Sequence, residues 1–320
     1  MFKSVQSTVW AFDIEWVPDP TAGKLLYGLK DDLDDRSVME HMWKMGGATE
    51  EEPRPFLKTV LCRIVSIAAV ERRVRDDRSV GLTLVSLPHD AGDPEDASEA
   101  SIISRFLDAV GQKKPQIVGY NSLNADIKIL VQRAIVKGIA ARSFAERPDK
   151  PWQGPDYFSR ISEGNVDLMD ILSGWGRGSP SLNEITTLSG IPGKFEIDGH
   201  QVADLWLDGR LADIVAYNEC DAVTTYLLWL RFAHFGGFLD DQEYEDEQDM
   251  VRRLLKEMGA RENGSHLLRY LDEWDALQGL IYRCVQMFKI ICVITALFVH
   301  IICGASAESP QSQCGMRIIQ

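Results

Sequence analysis

The chain has 320 residues, of which 45% are hydrophobic and 26% charged, so neither global disorder nor a multi-span membrane protein fits its composition. That length accommodates one sizeable α/β domain with appendages, or two small domains. A formal charge of -14 at pH 7 and a pI near 4.9 argue against a protein that coats nucleic acid through a broad basic surface, because such binding comes from many Lys and Arg contacts to phosphate.

The first apolar run, Ser7 to Trp16, reads as a buried strand that Val17-Pro18-Asp19-Pro20 must end. No secretory leader is read ahead of it, since the opening residues run straight into Thr8-Val9-Trp10-Ala11-Phe12. Residues 21 to 56 are expected to be irregular: an acidic stretch punctuated by Gly and Pro that could serve as a mobile insertion or lid, with one short helix at Ser37 to Lys44. Leu57 to Val70 and Gly81 to Leu87 read as strands on either side of a charged turn, Glu71 to Ser79. Ile102, Ile103, Phe106, Leu107 and Val110 recur at helical spacing within Asp96 to Val110, and Pro115 to Tyr120 follows as a strand. A helix is then expected from Asp126 to Lys137, a Pro-rich loop from Arg147 to Pro155, and a strand-to-helix junction at Val166 to Leu172. Ser181-Leu182-Asn183-Glu184 fits a capping box and opens a helix closed by Gly190. The longest helix is expected from Arg210 to about His234, stopped by Gly236-Gly237. Strands clustered first, with helices between and after them, predict an α/β fold with a mixed sheet covered on both faces.

Residues 240 to 277 read as an acidic surface helix pair ending near Trp274. Ile290 to Cys303 is almost wholly apolar, but its 14 residues fall short of the roughly 20 that a spanning helix needs. An interfacial or core-docking helix, or a tail with no selected role, is therefore preferred to a membrane anchor, and Gly304 to Gln320 is expected to be unstructured. The six cysteines contain no C-x-x-C and no metal-ligand spacing, which reads as reduced thiols in a cytoplasmic protein.

Charged residues inside the apolar runs are the informative exceptions. Asp13-Ile14-Glu15 interrupts the first strand, and the two-residue period puts both carboxylates on one face, where they are costly unless paired or bound to metal. Asp126 opens a helix just past Gly119-Tyr120-Asn121, a position equally suited to an ordinary cap or dipole partner. Its strand would lie naturally beside the first, bringing Asp126 and Asn121 toward Asp13. Tyr217 and Asp221, four apart on the long helix, share a face. Ile214, Val215, Ala222 and Leu228 around them mark a helix packed on the sheet, so an inward Asp221 needs a partner.

In this order the three pieces resemble the tyrosine version of the DEDD exonuclease pattern. More closely, "FDIEWVPD", "IVGYNSLNADIKIL", "VDLMDIL" and "SLNEITTLSGIPGKFEIDGHQVADLWLDGRLADIVAYNECDAVTTYLLWLRF" resemble the predicted 3′-to-5′ exonucleases related to the exonuclease domain of family B DNA polymerases, over roughly Thr8 to Trp274. The resemblance implies an RNase H-like fold, a five-stranded mixed sheet flanked by helices, with residues 1–239 as the exonuclease domain, 240–279 as its helical extension and 280–320 as a tail. It implies two divalent cations, Mg²⁺ or Mn²⁺: Asp13 bridging both, Glu15 and Asp221 completing the site that activates water, Asp126 holding the second ion, and Tyr217 hydrogen-bonding the nucleophilic water. Two hard cations about 4 Å apart suit phosphodiester hydrolysis, which needs a deprotonated water, neutralised phosphoryl oxygens and help for the leaving 3′ oxygen.

Asn121, Lys128 and Lys194 are the expected substrate contacts. Asp167 and Asp170 are read as capping the helix that follows them rather than supporting the metal site, and His200 as a surface or capping residue. Two departures stand out: Asn124-Ala125 replaces the usual small residue and Phe ahead of Asp126, and Lys128 replaces a Pro often found after it. The expected substrate is a nucleic-acid 3′ end, single-stranded DNA first, in trimming or repair, with a polymerase or repair partner acting in trans if the role is proofreading. The alternatives are a catalytically silent RNase H-like module that binds nucleic acid or protein, and an RNA-trimming enzyme of the same chemistry.

Overall fold

The alternation at the start of the chain becomes the centre of a sheet. In the computed structural model, which describes residues 2–160, 162–174, 178–193, 201–280 and 283, β1 (Thr8–Pro18) turns Val9 and Ala11 to one face and Trp10, Phe12 and Ile14 to the other. β1 pairs antiparallel with β2 (Cys62–Val74), which pairs antiparallel with β3 (Val80–Leu87). On its other side β1 runs parallel to β4 (Gln116–Gly119), followed by β5 (Asn165–Asp167). The sheet order is β3-β2-β1-β4-β5, so the strand carrying Asp13 and Glu15 lies in the middle of a mixed five-stranded sheet flanked by helices.

Helices α1 (Pro20–Tyr27) and α2 (Asp35–Met45) occupy the stretch expected to be irregular. Asp19 caps α1 and Pro20 opens it, a position where the missing N–H costs nothing, so the prolines that end the strand also start a helix. Asp34 caps α2, whose Val38, Met39 and Met42 are buried. β2 begins five residues later and ends four residues later than expected. Thr59–Leu61 forms a 3-10 turn ahead of it, and the charged Glu71-Arg72-Arg73 continues the ladder because its side chains find partners. Glu71 meets Lys113, and Arg72 meets Glu247.

One face of the sheet is covered by α3 (Glu99–Lys113) and α4 (Asp126–Val136), with the single turn α5 (Arg142–Ala145) against α3. α6 (Leu168–Ser173) follows β5 directly, and α7 (Leu182–Leu188) opens on the expected capping box of Ser181 and Glu184. α8 (Val202–Leu207) precedes α9 (Leu211–Phe235), the long helix on the opposite face. From Cys220 to Leu230 every residue of α9 is buried, the polar Asp221, Thr224 and Thr225 among them, because the helix is covered on more than one side. The sheet lies on one side, and α10 (Asp241–Gly259) and a helix beginning at residue 265 pack into the same core through Val251, Leu255, Tyr270 and Trp274. The acidic helices are thus more than surface decoration: each has an apolar edge in the core.

Met1–Trp274 forms one compact unit and Asp275–Gln320 a second, described only at 275–280 and 283, which are helical. No described helix is long and apolar enough to cross a membrane, and the apolar run Ile290 to Cys303 lies outside the described residues.

α10 is fastened by a buried ion pair. The Glu247 carboxylate accepts from Arg72 Nε at 2.8 Å and from the Tyr226 hydroxyl at 2.8 Å, with the guanidinium carbon 5.6 Å from the Trp229 ring centroid. Glu247→Ala leaves the Arg72 charge buried and uncompensated, so a loss of about 3 to 5 kcal/mol is expected in denaturant unfolding. A loss below about 1 kcal/mol would contradict a tight pair.

Candidate active site

A strand interior is a poor place for two carboxylates, and the ladder deforms where they sit. Asp13 pairs with Ala68 and Glu15 with Ser66, but Trp16 pairs with Ile64, so β2 carries an extra residue at a bulge beside Glu15. Such bulges bend a strand and re-aim its side chains. Asp13 and Glu15 are half-buried on the face toward α9, where Asp221 is buried. Ligating oxygens of Asp13, Glu15 and Asp221 all lie within 4.8 Å of one another.

Asp126, in the first turn of α4 and 5% exposed, is not one of that trio, yet its charge reaches it. Burial pushes the Asp13 carboxyl well above the usual carboxylate range, and Asp126, Glu15 and Asp221 push it further. Burial does the same to Glu15, with Asp221 and Asp126 adding. Asp126 is pushed up to about 7, chiefly by burial and then by Asp167, while the backbone N–H groups of Asp126 and Ile14 pull it down. Asp13, Glu15 and Asp126, crowded by one another and by Asp221, therefore retain protons until something positive joins them.

Tyr217, one helical turn before Asp221, is half-buried against the apolar cluster that includes Val17, Met39 and Val65, and hydrogen-bonds the Asp221 carboxylate. Burial, then the charges of Asp221, Glu15 and Asp13, raise its hydroxyl far above the ordinary tyrosine value. It therefore stays protonated, a neutral hydrogen-bonding group.

The approach to Asp126 is built by a tight loop. A Cβ at Gly119 would stand 2.5 Å from the Ser122 Cβ, so the end of β4 needs glycine there, and Asn121 follows at a φ of 62°. Asp167 holds this loop: its carboxylate accepts from the N–H groups of Asn121 at 2.9 Å and Leu123 at 3.0 Å. It also accepts from Met169 at 3.0 Å and Asp170 at 3.3 Å, the expected cap of α6. The cap was legible in the sequence. The loop contact was not, because it depends on the parallel pairing of Gly119 with Asp167.

A cleft of about 500 Å³ opens over these groups, lined by Asp13, Glu15, Asp126 and Asp221 together with Asn121, Tyr120, Trp16, Arg54 and Phe56. Asn121, expected as a substrate contact, lines this cleft. Lys128, two residues along α4 from Asp126, is exposed and does not line the cleft, whereas Lys194 and His200 lie outside the described residues. Arg54 is a wall residue that periodicity does not single out. Its guanidinium grips Asp204 at 2.6 and 3.1 Å and lies 4.9 Å from the Trp43 ring centroid. The clustered donors Asp13, Glu15 and Asp221 are all carboxylates, which fits hard divalent cations such as Mg²⁺ or Mn²⁺ rather than the thiolate and imidazole sites of softer metals.

A family model described as "Predicted 3'-5' exonuclease related to the exonuclease domain of PolB" matches residues 54–274. Asp126, Tyr217 and Asp221 fall inside the matched segment, and Asp13 and Glu15 precede it. Among solved structures, the family B DNA polymerase of the hyperthermophilic archaeon Pyrobaculum calidifontis aligns with a TM-score of 0.41 at 18% identity, over 79% of this chain and 29% of that one. The chain thus spans less than a third of that polymerase's length. No curated protein matches it in sequence.

Proposed function

The chain belongs to the predicted 3′-5′ exonucleases related to the exonuclease domain of PolB, and on that premise we propose that it removes nucleotides from the 3′ end of single-stranded DNA with the aid of two divalent cations. The observation that carries the proposal is the meeting of Asp13, Glu15 and Asp221 within 4.8 Å, with Asp126 close enough to raise the proton affinity of Asp13 and Glu15. Asp13, Glu15 and Asp221 would hold one ion, and Asp126 with Asp13 would hold the other. Such a pair supplies Lewis acidity for the attacking water and charge neutralisation at the phosphoryl and leaving oxygens.

The protein's own groups do the rest. Tyr217, protonated and hydrogen-bonded to Asp221, orients the attacking water and takes no proton from it. Asn121, fixed by the hold of Asp167 on its N–H, presents its amide to the sugar-phosphate of the terminal nucleotide. A negative surface disfavours coating of duplex DNA, so grip on one strand end depends on the cleft.

The test is a 5′-labelled single-stranded oligonucleotide incubated with Mg²⁺ or Mn²⁺. Stepwise shortening from the 3′ end with release of mononucleotides, stopped by EDTA, is expected. Absence of cation-dependent shortening would leave a silent binding module of the same fold, and faster attack on the matching RNA would move the substrate to RNA. Tyr217→Phe is expected to slow the single-turnover step about a hundredfold, the usual cost of a misplaced reactant, with Mn²⁺ affinity unchanged. A fall in Mn²⁺ affinity instead would make Tyr217 a support for Asp221 only.

A further inference from the structure

Asp126 belongs to a helix, and the other three carboxylates belong to β1 and α9, so the second cation depends on how α4 is set against the strand. Arg133 lies seven residues along α4 from Asp126, on the same helical face. It is 1% exposed. Its Nε and Nη2 donate to the two oxygens of Glu99 at 2.7 Å each, Nη2 also donates to Asp19 at 2.5 Å, and Nη1 donates to the Val60 carbonyl at 3.1 Å. Lys137 adds a second cation to Glu99 at 3.1 Å.

Two partners of Arg133 lie on the segments that flank the bulge, and the third, Glu99 at the start of α3, reaches it through a further contact. Asp19 directly follows β1, four residues beyond Glu15, and Val60 lies in the turn that leads into β2. Glu99 also accepts the N–H of Ile64 at 2.9 Å, and Ile64 is the residue paired with Trp16 just past the bulge. A bulge disrupts the ladder and leaves part of it to find other partners. One buried guanidinium thus joins the helix of Asp126 to both strands at the point where Glu15 is re-aimed.

We propose that Arg133, through Glu99 and Asp19, is a positioning residue that sets the distance between Asp126 and the Asp13, Glu15 and Asp221 trio, and so governs occupancy of the second cation site. The inference rests on the two-cation reading above. Two fixed frames meet at the site, β1 with α9 and α4 with its clamp, and the trio lies wholly within the first. Loosening the clamp therefore weakens one ion and spares the other.

Mn²⁺ binding to the full chain, followed by calorimetry and electron paramagnetic resonance, tests this without reference to activity. Wild-type protein is expected to take two ions. Arg133→Lys keeps the charge but loses the fork, and Asp19→Asn removes one arm of the clamp while leaving the fork on Glu99. Each is expected to keep the tighter ion and to bind the second about tenfold to a hundredfold more weakly, the usual cost of losing an outer-sphere partner, as Asp126→Asn should also do. Arg72→Lys makes the same chemical change in the buried ion pair on the opposite face of the sheet, and it should bind both ions as wild type does. Unchanged affinity for both ions in Arg133→Lys and Asp19→Asn, or an equal loss in Arg72→Lys, would overturn the positioning role and leave the two-cation reading intact. A wild-type protein that binds fewer than two ions would overturn that reading and the positioning role with it. If Arg133→Lys does not fold, Asp19→Asn decides alone.

Discussion

Asp13→Asn is expected to lower mononucleotide release at saturating Mg²⁺ by about a thousandfold or more and, in EDTA, to raise the melting temperature of the same protein. Both effects come from one charge. Asp13 lies at the centre of the cluster, where burial and the charges of Asp126, Glu15 and Asp221 all raise its proton affinity. With cations bound, it is the carboxylate shared by both in our proposal, and several kcal/mol of charge stabilisation disappears with it, roughly 10³-fold in rate. Without cations the same carboxylate is a buried charge facing like charges, and an amide of equal shape relieves that repulsion. Activity within tenfold of wild type would remove Asp13 from the reaction. A lower melting temperature in EDTA would mean that Asp13 stabilises the empty fold, contrary to its electrostatic surroundings.

The gap in melting temperature between Mn²⁺-loaded and EDTA-treated protein is expected to widen as pH rises from about 5 to about 8. Asp13, Glu15 and Asp126 have folded pKa values raised above those of the unfolded chain, so between the two values the folded state holds protons that the unfolded state has released. Stability in the absence of cations is then greatest below the unfolded values near pH ~4 and falls as pH climbs through the folded ones, to about 7 for Asp126. The rise from 3.8 to about 7 corresponds for Asp126 alone to a cost on the order of 4 kcal/mol above that pH. Cations displace these protons and remove the cost, so the loaded protein escapes the decline. Carboxylates held low by partners, such as Asp204 beside Arg54, act in the opposite sense and only below about pH 4, outside this window. A pH-independent gap would show that the four carboxylates are not linked to cation binding. Differential scanning fluorimetry at matched ionic strength reads the result directly.

Features governed by local rules were legible in the sequence. The alternation in Ser7 to Trp16, the capping box at Ser181, the long helix ending at Gly236-Gly237 and the cap formed by Asp167 each depend on residues close together in the chain. Features set by distant partners were not. Glu71-Arg72-Arg73 looked like a turn because charges disfavour a strand interior, and only Lys113 and Glu247, 42 and 175 residues from their partners, make the ladder continue there. The prolines at 18 and 20 read as a stop, although the second is the first residue of a helix. At the site, the two-residue and four-residue spacings paired Asp13 with Glu15 and Tyr217 with Asp221. Nothing in either spacing brings the pairs together, and that step came from resemblance. The bulge at Glu15, the hold of Asp167 on the Asn121 loop and the Arg133 clamp have no local signature, because each is a contact between elements tens of residues apart.

The position of β1 has a practical consequence for anyone who shortens this chain. Among the described strands, β1 alone pairs with both the antiparallel pair β2 and β3 and the parallel pair β4 and β5. A fragment cut to residues 54–274, the segment that carries the family signature, would keep four strands but split them into two ribbons with no common neighbour. The β2–β3 ribbon would bare a long unsatisfied edge where β1 had lain, and the β4–β5 ribbon a short one; the long edge is the kind of surface along which chains polymerise.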